Sequence, residues 1–222
     1  VAIVGAGFSG TSTAFGMLCK GTGAKLTLTD VDTAKVEAEV LDLEDSGGSI
    51  DVATFEEAGQ ADVILITAGR GQKKGETRLD LLEDNAQVVK SAVIAMQPIK
   101  KTAKILVVSD PCDPLTYLAQ QVSGLPVSQV FGIGTQLDSR RLRVDLASQL
   151  DIHHSSIIVF VLGEHGDSQF PVSSLANVGG VPLMEHAKMT DVNLDEVAKR
   201  TASKAYEIIA KKGFTAFGIA TG

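Results

Sequence analysis

The sequence predicts an α/β protein, in which a doubly wound parallel sheet is followed by a smaller, mixed α+β domain. Short apolar runs alternate with helical stretches in the first part of the chain, and this alternation is typical of βαβ units. The run Val63–Ile66 is continuously apolar, as expected for a strand that is covered on both faces. The rhythm changes after about Gly134, so we place the two domains at residues 1–134 and 135–222.

The first domain contains the signals for six strands. In chain order they are Val1–Val4, Lys25–Thr29, Ile50–Ala53, Ala61–Thr67, Lys104–Ser109 and Gln129–Gly132. Amphipathic stretches separate these strands, and the longest of them runs from about Arg78 to Lys100. Six parallel strands in two halves, with helices between them, make a doubly wound sheet.

The second domain combines helices with short strands. Its predicted elements are a helix over about Asp138–Gln149, a β-rich run over Ser156–Leu162, a loop over Gly163–Ser168, a hairpin over Val172–Leu183 and a helix over Asn193–Lys212. Gly179-Gly180 marks the turn of the hairpin, and Gly213 ends the last helix. Both ends of the chain lie inside patterned segments. We therefore expect an interior fragment of a longer protein, with a second domain that is incomplete at its C-terminus.

The composition argues against several classes of protein. The 222 residues include 20 basic and 27 acidic ones, and a net charge of −7 argues against binding to a nucleic-acid backbone. The longest purely apolar run, Ile157–Leu162, is too short to cross a bilayer. The two cysteines, Cys19 and Cys112, suit neither a metal site nor a disulfide framework. We therefore expect a cytoplasmic protein with no metal and with no nucleic-acid or membrane partner.

A glycine-rich motif lies between the first strand and the first helix. The pattern G-x-G-x-x-G is formed by Gly5, Ala6, Gly7, Phe8, Ser9 and Gly10. The first glycine permits a tight turn, the second lets a pyrophosphate approach the backbone, and the third allows close helix packing. Asp30 ends the second strand, where a carboxylate accepts hydrogen bonds from a ribose diol and repels a 2′-phosphate. The motif therefore predicts a Rossmann domain that binds NAD rather than NADP.

Three further polar motifs carry weaker signals when each is taken alone. His165 lies between glycines in a loop, and histidine is the side chain that most readily exchanges protons near neutral pH. Asp138 and Arg141 share one face of a predicted helix. Arg78 follows the polar, glycine-flanked loop of residues 70–77. A solvated loop or a charged first helical turn would also explain each of these motifs.

Taken together, the motifs resemble those of the NAD-dependent L-lactate and malate dehydrogenase family over essentially the whole chain. The segments that carry the resemblance are GAGFSG, TAGRGQKKGETR, VSDPCDPLTY, GIGTQLDSRRLR, VLGEHGDSQFPV and GFTAFGIA, in this order. The resemblance implies an oxidoreductase that transfers a hydride between NAD(H) and a small 2-hydroxy or 2-keto acid. It also implies a cytoplasmic homo-oligomer that works in glycolysis and carboxylic acid metabolism.

The resemblance also implies roles for individual residues. His165 is the implied proton donor and acceptor, and Asp138 orients its ring. Arg141 is implied to bind the substrate carboxylate, and Arg78 to polarise the reacting C–O bond when its loop closes. Thr215 matches a threonine that lines the substrate pocket. The implied cofactor contacts are Gly5, Gly7, Phe8, Ser9, Gly10, Asp30, Thr67, Ala68, Gly69 and Asp110.

One loop position separates the lactate from the malate enzymes in this family. The residue six before the loop arginine is glutamine in the former and arginine in the latter, and this chain has Gln72. The resemblance therefore favours a monocarboxylate, with pyruvate and L-lactate as the substrate pair. Malate or another 2-hydroxy acid stays open as an alternative, because Arg70, Lys73 and Lys74 lie close by in the sequence.

Two positions depart from the pattern of the family. Asp110 stands where the family has an asparagine whose amide can donate to the substrate and the nicotinamide. An ionised carboxylate only accepts, whereas a protonated one donates as the amide does. This departure keeps open a second alternative, a protein that binds NAD without turnover. Ile158 replaces a histidine of the bacterial enzymes activated by fructose 1,6-bisphosphate, although Arg143 matches its basic partner, so we expect no site for that effector.

Overall fold

The computed structural model describes residues 1–77 and 79–221, which form two compact units. One unit comprises Val1–Ile133 together with Gly213–Thr221, and the other comprises Gly134–Lys212. The sequence-based division assigns Gly213–Thr221 to the second domain, whereas the structure packs this stretch with the first unit. No helix in the described part of the chain is long and apolar enough to span a membrane.

The first unit is built on a six-stranded parallel sheet with the strand order β3-β2-β1-β4-β5-β6. Its strands are β1 (Ala2–Val4), β2 (Leu26–Thr29), β3 (Ile50–Val52), β4 (Val63–Ile66), β5 (Lys104–Val107) and β6 (Val130–Gly132). The chain order reverses between β1 and β4, and sheets of this kind bind ligands beyond the carboxyl ends of the strands at that reversal. The structure confirms the predicted doubly wound sheet.

Eight α-helices are described in residues 1–77 and 79–221. They are α1 (Phe8–Cys19), α2 (Thr33–Asp45), α3 (Phe55–Gly59), α4 (Leu82–Ala95), α5 (Cys112–Ser123), α6 (Gln136–Leu150), α7 (Leu194–Lys212) and α8 (Phe217–Ala220). The first unit contains α1 to α5 and α8. α4 is shorter than the amphipathic stretch from which it was predicted, because it ends before Pro98, whose ring cannot continue a helix.

The two faces of the parallel sheet bury separate apolar cores. Successive side chains of a strand point to opposite faces, so Ala2 and Val4 join one core and Ile3 joins the other. Val89 of α4 packs in the first core, and Val40 of α2 packs in the second. The continuous apolar run in β4 is explained in the same way, because both of its faces are covered.

The second unit combines α6 and α7 with two small antiparallel sheets. Its strands are β7 (Ile157–Ile158), β8 (Val161–Leu162), β9 (Phe170–Pro171), β10 (Asn177–Val178) and β11 (Val181–Pro182). The predicted hairpin is present as β10 and β11, and the two glycines of its turn have positive φ angles. The predicted β-rich run over Ser156–Leu162 is divided into two strands, because β7 pairs with β10 whereas β8 pairs with β9.

Candidate functional site

The glycine-rich turn after β1 combines close packing with open space. A Cβ atom at Gly5 would lie 2.6 Å from the backbone nitrogen of Ala68, and one at Gly10 would lie 1.9 Å from the carbonyl oxygen of Gly5. At Gly7, by contrast, a Cβ atom would meet no described heavy atom within 4 Å. Two of the glycines are therefore required by the fold, and the space at Gly7 fits the approach of a phosphate to the backbone.

The N-terminus of α1 is suited to an anion. The helix begins at Phe8 with Gly7 as its N-cap, and no side chain of the described residues caps its first turn. The first N–H groups of a helix have no partner within the helix, and the helix dipole adds partial positive charge at this end. The diphosphate of a dinucleotide would supply the missing acceptors.

Asp30 is held beside the glycine-rich turn. One of its carboxylate oxygens, Oδ2, accepts a hydrogen bond of 2.7 Å from the backbone N–H of Ala6, and Oδ1 accepts one of 3.3 Å from Asp32. A carboxylate offers about four acceptor positions, so these two bonds leave capacity for a ribose diol. The turn, the helix end and this carboxylate together fit the dinucleotide that the motif predicted.

The residues that follow β4 pack against the same turn. The Thr67 hydroxyl lies 3.2 Å from the carbonyl oxygen of Val4 and 3.0 Å from that of Gly5, and it donates to them. Ala68 limits the space at Gly5, as described above. Gly69 has a φ of +150°, and a Cβ atom there would lie 2.9 Å from Oδ1 of Asn85. Residues 67–69 are thus placed beside the glycine-rich turn by the reversal of strand order.

Asn85 is a connecting residue that the sequence analysis missed. Its side chain is 1% exposed, and its Oδ1 accepts a 2.8 Å hydrogen bond from the backbone N–H of Arg70. Its Nδ2 donates to the carbonyl oxygens of Arg70, at 3.2 Å, and Asp110, at 2.7 Å. The amide therefore joins the segment after β4 to the segment after β5. An asparagine on the buried face of α4, in register with Val89, was the available signal.

The polar loop of residues 70–77 is organised by Arg70. Its guanidinium forms ion pairs with Asp84, at 2.5 Å, and with Glu76, at 2.8 Å. The hydrogen bond from Arg70 holds the pKa of Glu76 below its ordinary value. Gln72 lies in the same loop, where its amide donates to the carbonyl oxygen of Glu76. Arg78, the predicted loop arginine, lies outside the described residues.

The second unit brings three of the predicted residues together around one carboxylate. Nδ1 of His165 lies 2.5 Å from Oδ2 of Asp138, and Nη1 of Arg141 lies 3.1 Å from Oδ1 of the same residue. Asp138 is fully buried, and the side chains of His165 and Arg141 are 10% and 8% exposed. The arrangement places a proton-exchanging ring and a fixed cation beside a buried anion.

Side-chain hydrogen bonds tie the first turn of α6 to strand β8. The hydroxyl of Ser139 accepts a 2.9 Å hydrogen bond from the N–H of Val161, and the hydroxyl of Thr135 donates to the carbonyl oxygen of Val161 at 2.6 Å. The loop that carries His165 begins two residues later at Gly163, which has a φ of +95°. These bonds hold the start of the loop next to Asp138.

Of the remaining predicted residues, Thr215 and Asp110 lie in the first unit and Ile158 lies in the second. Thr215 is half-buried and follows Phe214, whose ring stacks on that of Phe8 with 3.8 Å between the ring centroids. Asp110 is half-buried in the segment after β5. Ile158, at the predicted effector position, is exposed. Among the residues that the structure describes, no group of three histidine, cysteine or acidic side chains could hold a metal ion.

Family models match both parts of the chain. Residues 1–132 match the model of the lactate/malate dehydrogenase NAD binding domain. Residues 135–222 match the model of the lactate/malate dehydrogenase alpha/beta C-terminal domain.

The individual relatives include L-lactate dehydrogenases of a fungus and of a bacterium. The chain is 45% identical to L-lactate dehydrogenase A of Rhizopus oryzae, over 99% of this chain and 70% of the relative. It is 39% identical to L-lactate dehydrogenase 2 of Enterococcus faecalis, over 99% of this chain and 72% of the relative.

Solved structures with the same fold include both types of enzyme. The minor L-lactate dehydrogenase of Enterococcus mundtii, in a ligands-bound form, matches with a TM-score of 0.90 and 40% identity. The malate dehydrogenase of Plasmodium falciparum matches with a TM-score of 0.92 and 29% identity. Each match covers 99% of this chain and 73% of the other chain. The fold is therefore common to both types, while sequence identity is higher to the lactate enzyme.

Proposed function

The chain belongs to the lactate/malate dehydrogenase family, and we propose that His165, Asp138 and Arg141 act on its substrate. It is an NAD-dependent oxidoreductase of the pyruvate and L-lactate type. NAD supplies the chemistry of hydride acceptance and, when reduced, of hydride donation. The observation that carries the roles of the three residues is the contact of Asp138 with both His165 and Arg141.

His165 moves the proton of the reaction. During reduction of pyruvate, Nε2 of its ring donates a proton to the carbonyl oxygen, which becomes the hydroxyl of L-lactate. During oxidation the same nitrogen takes the proton back. Asp138 accepts from Nδ1, so it fixes the orientation of the ring and stabilises the protonated imidazole.

Arg141 binds the carboxylate of the substrate. A guanidinium presents its N–H donors in a planar fork that matches a carboxylate, a geometry that lysine lacks. Its Nη1 is anchored on Asp138, the residue that also orients His165. One buried carboxylate therefore sets the position of both the carboxylate-binding and the proton-transferring side chain.

The uncharged side chain of Gln72 and the ion pairs of Arg70 support a monocarboxylate substrate. The amide of Gln72 carries no charge to pair with a second carboxylate, and Arg70 is already held by Asp84 and Glu76. Arg78 polarises the reacting C–O bond and Thr215 lines the substrate pocket, as the resemblance implies. Steady-state kcat/KM for pyruvate and for oxaloacetate tests this proposal, and a higher value for oxaloacetate would favour malate dehydrogenase.

We assign cofactor binding and substrate binding to different domains. We assign cofactor binding to residues 1–134 and the catalytic side chains His165, Asp138 and Arg141 to residues 135–222.

The resemblance to the family supports a homo-oligomer and a cytoplasmic location. Light scattering on the intact protein measures the first, and cell fractionation the second.

Replacing Asp30 by alanine is expected to weaken NAD binding and to reduce the discrimination against NADP. The carboxylate accepts from the ribose diol and repels a 2′-phosphate, and alanine does neither. The measurement is kcat/KM for NADH and NADPH in both proteins. Equal values for the two cofactors in the unmutated protein would contradict the assignment.

Replacing Gly7 by alanine is expected to weaken NAD binding about tenfold or more without loss of stability. The backbone at Gly7 has a φ of −84°, which alanine adopts, and the new methyl group enters open space. That space is where the phosphates approach. The measurements are the Kd for NADH and the melting temperature.

Gly10→Ala is the matched control, since its methyl group would collide with the carbonyl oxygen of Gly5. This variant should lose stability, whereas Gly7→Ala should not. Unchanged NADH affinity in Gly7→Ala would show that no ligand occupies the space at Gly7.

A further inference from the structure

A cavity of about 170 Å³ lies between α6 and α7 in the second unit. Arg141 and Asp145 of α6 line one side, and Arg200, Thr201 and Lys204 are among the α7 residues that line the other. Its volume is below the range of pockets for drug-sized ligands, so it suits a small molecule or one end of one. One of the lining residues, Arg141, is the side chain proposed above to bind the carboxylate of the substrate.

The hydroxyl of Thr201 is buried in this region without a partner. The residue is 3% exposed, and its Oγ1 forms no hydrogen bond within the described chain. A threonine inside a helix commonly donates to the carbonyl oxygen four residues earlier, and Thr201 does not. A buried hydroxyl without a partner lowers stability, and a ligand in the cavity would supply the acceptor that is missing.

The charges around the cavity favour an anion. Arg200 binds Asp145 through two hydrogen bonds of 2.9 and 3.1 Å, so these two charges compensate each other. Burial alone would raise the pKa of Asp145, but the hydrogen bonds from Arg200 and Gln149 outweigh burial and lower it. The pair thus stays ionised near neutral pH.

The remaining lining charges have an excess of basic groups. Glu207 forms an ion pair with Lys211, which does not line the cavity. Arg141 is paired with Asp138, which does not line the cavity. Three basic and two acidic side chains line the cavity, so its lining has an excess of one positive charge. A small anion is the ligand that this charge distribution attracts.

We propose that the cavity receives the carboxylate of the 2-keto or 2-hydroxy acid, and that the Thr201 hydroxyl donates a hydrogen bond to it. This inference rests on the proposed function, in which Arg141 binds the same carboxylate. Arg141, which lines the cavity, also contacts Asp138, the carboxylate that holds the ring of His165. Thr201 is then a substrate-binding residue that no motif in the sequence identifies.

The test is Thr201→Val, which keeps the shape of the side chain and removes the hydroxyl. A lost hydrogen bond to a charged group should raise KM for pyruvate about tenfold or more, with a smaller effect on kcat. The melting temperature should stay the same or rise, because the unpartnered hydroxyl is gone. Thr201→Ser retains a hydroxyl and should recover most of the KM.

Ser203→Ala is the matched control on the same cavity. The Ser203 hydroxyl already donates to the carbonyl oxygen of Arg200 at 3.4 Å, so its loss should leave KM unchanged. If the Thr201→Val protein does not fold, the KM for pyruvate of Thr201→Ala is compared with that of the wild type instead.

Three results would overturn the inference. If the wild-type protein is active and Thr201→Val has the same KM for pyruvate, the role of Thr201 is contradicted, whereas the proposed function is not. Inhibition by inorganic phosphate that Thr201→Val abolishes, with pyruvate KM unchanged, would assign the cavity to a free anion. A wild-type protein that binds NADH but does not reduce pyruvate would contradict the proposed function as well.

Discussion

Replacing His165 by asparagine is expected to lower kcat/KM for pyruvate reduction by about 10²–10⁴-fold, with little change in NADH affinity. Asparagine can still hydrogen-bond to Asp138, but it cannot deliver a proton to the carbonyl oxygen. The residues assigned to the cofactor lie in the first unit, so their contacts do not depend on this ring. Steady-state kinetics and NADH titration measure the two effects separately.

His153→Asn provides the control for this prediction. His153 is an exposed histidine of the same unit, and its ring contacts Ser155 rather than a buried carboxylate. Its replacement should change kcat/KM by less than about twofold, within the range of ordinary surface substitutions. If His165→Asn behaves like His153→Asn, the proton is transferred by another group.

Replacing Asp110 by asparagine is expected to raise kcat/KM for pyruvate by about two orders of magnitude. The resemblance to the family implies that residue 110 lies beside the nicotinamide and the substrate, where an ionised carboxylate would repel the carboxylate of the substrate. Two like charges ~6 Å apart at an effective dielectric constant near 20 repel by roughly 3 kcal/mol, which corresponds to that factor. The amide of asparagine removes the charge and adds a donor. The hydrogen bond from Asn85 to the backbone carbonyl of residue 110 does not involve the exchanged side chain.

Asp113→Asn removes an equal charge three residues away and is the matched control. Asp113 is exposed in the first turn of α5, so solvent should screen its charge and the effect on kcat/KM should be small. A protonated Asp110 would donate as asparagine does. Unchanged or lower activity of Asp110→Asn would therefore show that repulsion does not limit this enzyme.

The strands of the first unit and the role of its glycine-rich turn were predictable, because they depend on the pattern of apolar residues and glycines over a few neighbouring positions. Strand β1 lies one residue inside the predicted Val1–Val4, and the predicted helix over Asp138–Gln149 extends by a few residues to α6. The division of Ser156–Leu162 into two strands was not predictable, because it depends on which distant strand each half pairs with. The placement of Gly213–Thr221 with the first unit depends in the same way on packing, such as the stacking of Phe214 on Phe8.

The sequence by itself determined the doubly wound sheet, the cofactor-binding turn and the family, because alternating apolar runs and ordered motifs lie in the chain as patterns. Only the tertiary structure decided which side chains share a partner. Asp138 contacts His165 over 27 positions of sequence, and Asn85 reaches Asp110 over 25. Neither link follows from a local pattern, since hydrogen bonds between distant residues form only when packed elements bring donor and acceptor within about 3 Å.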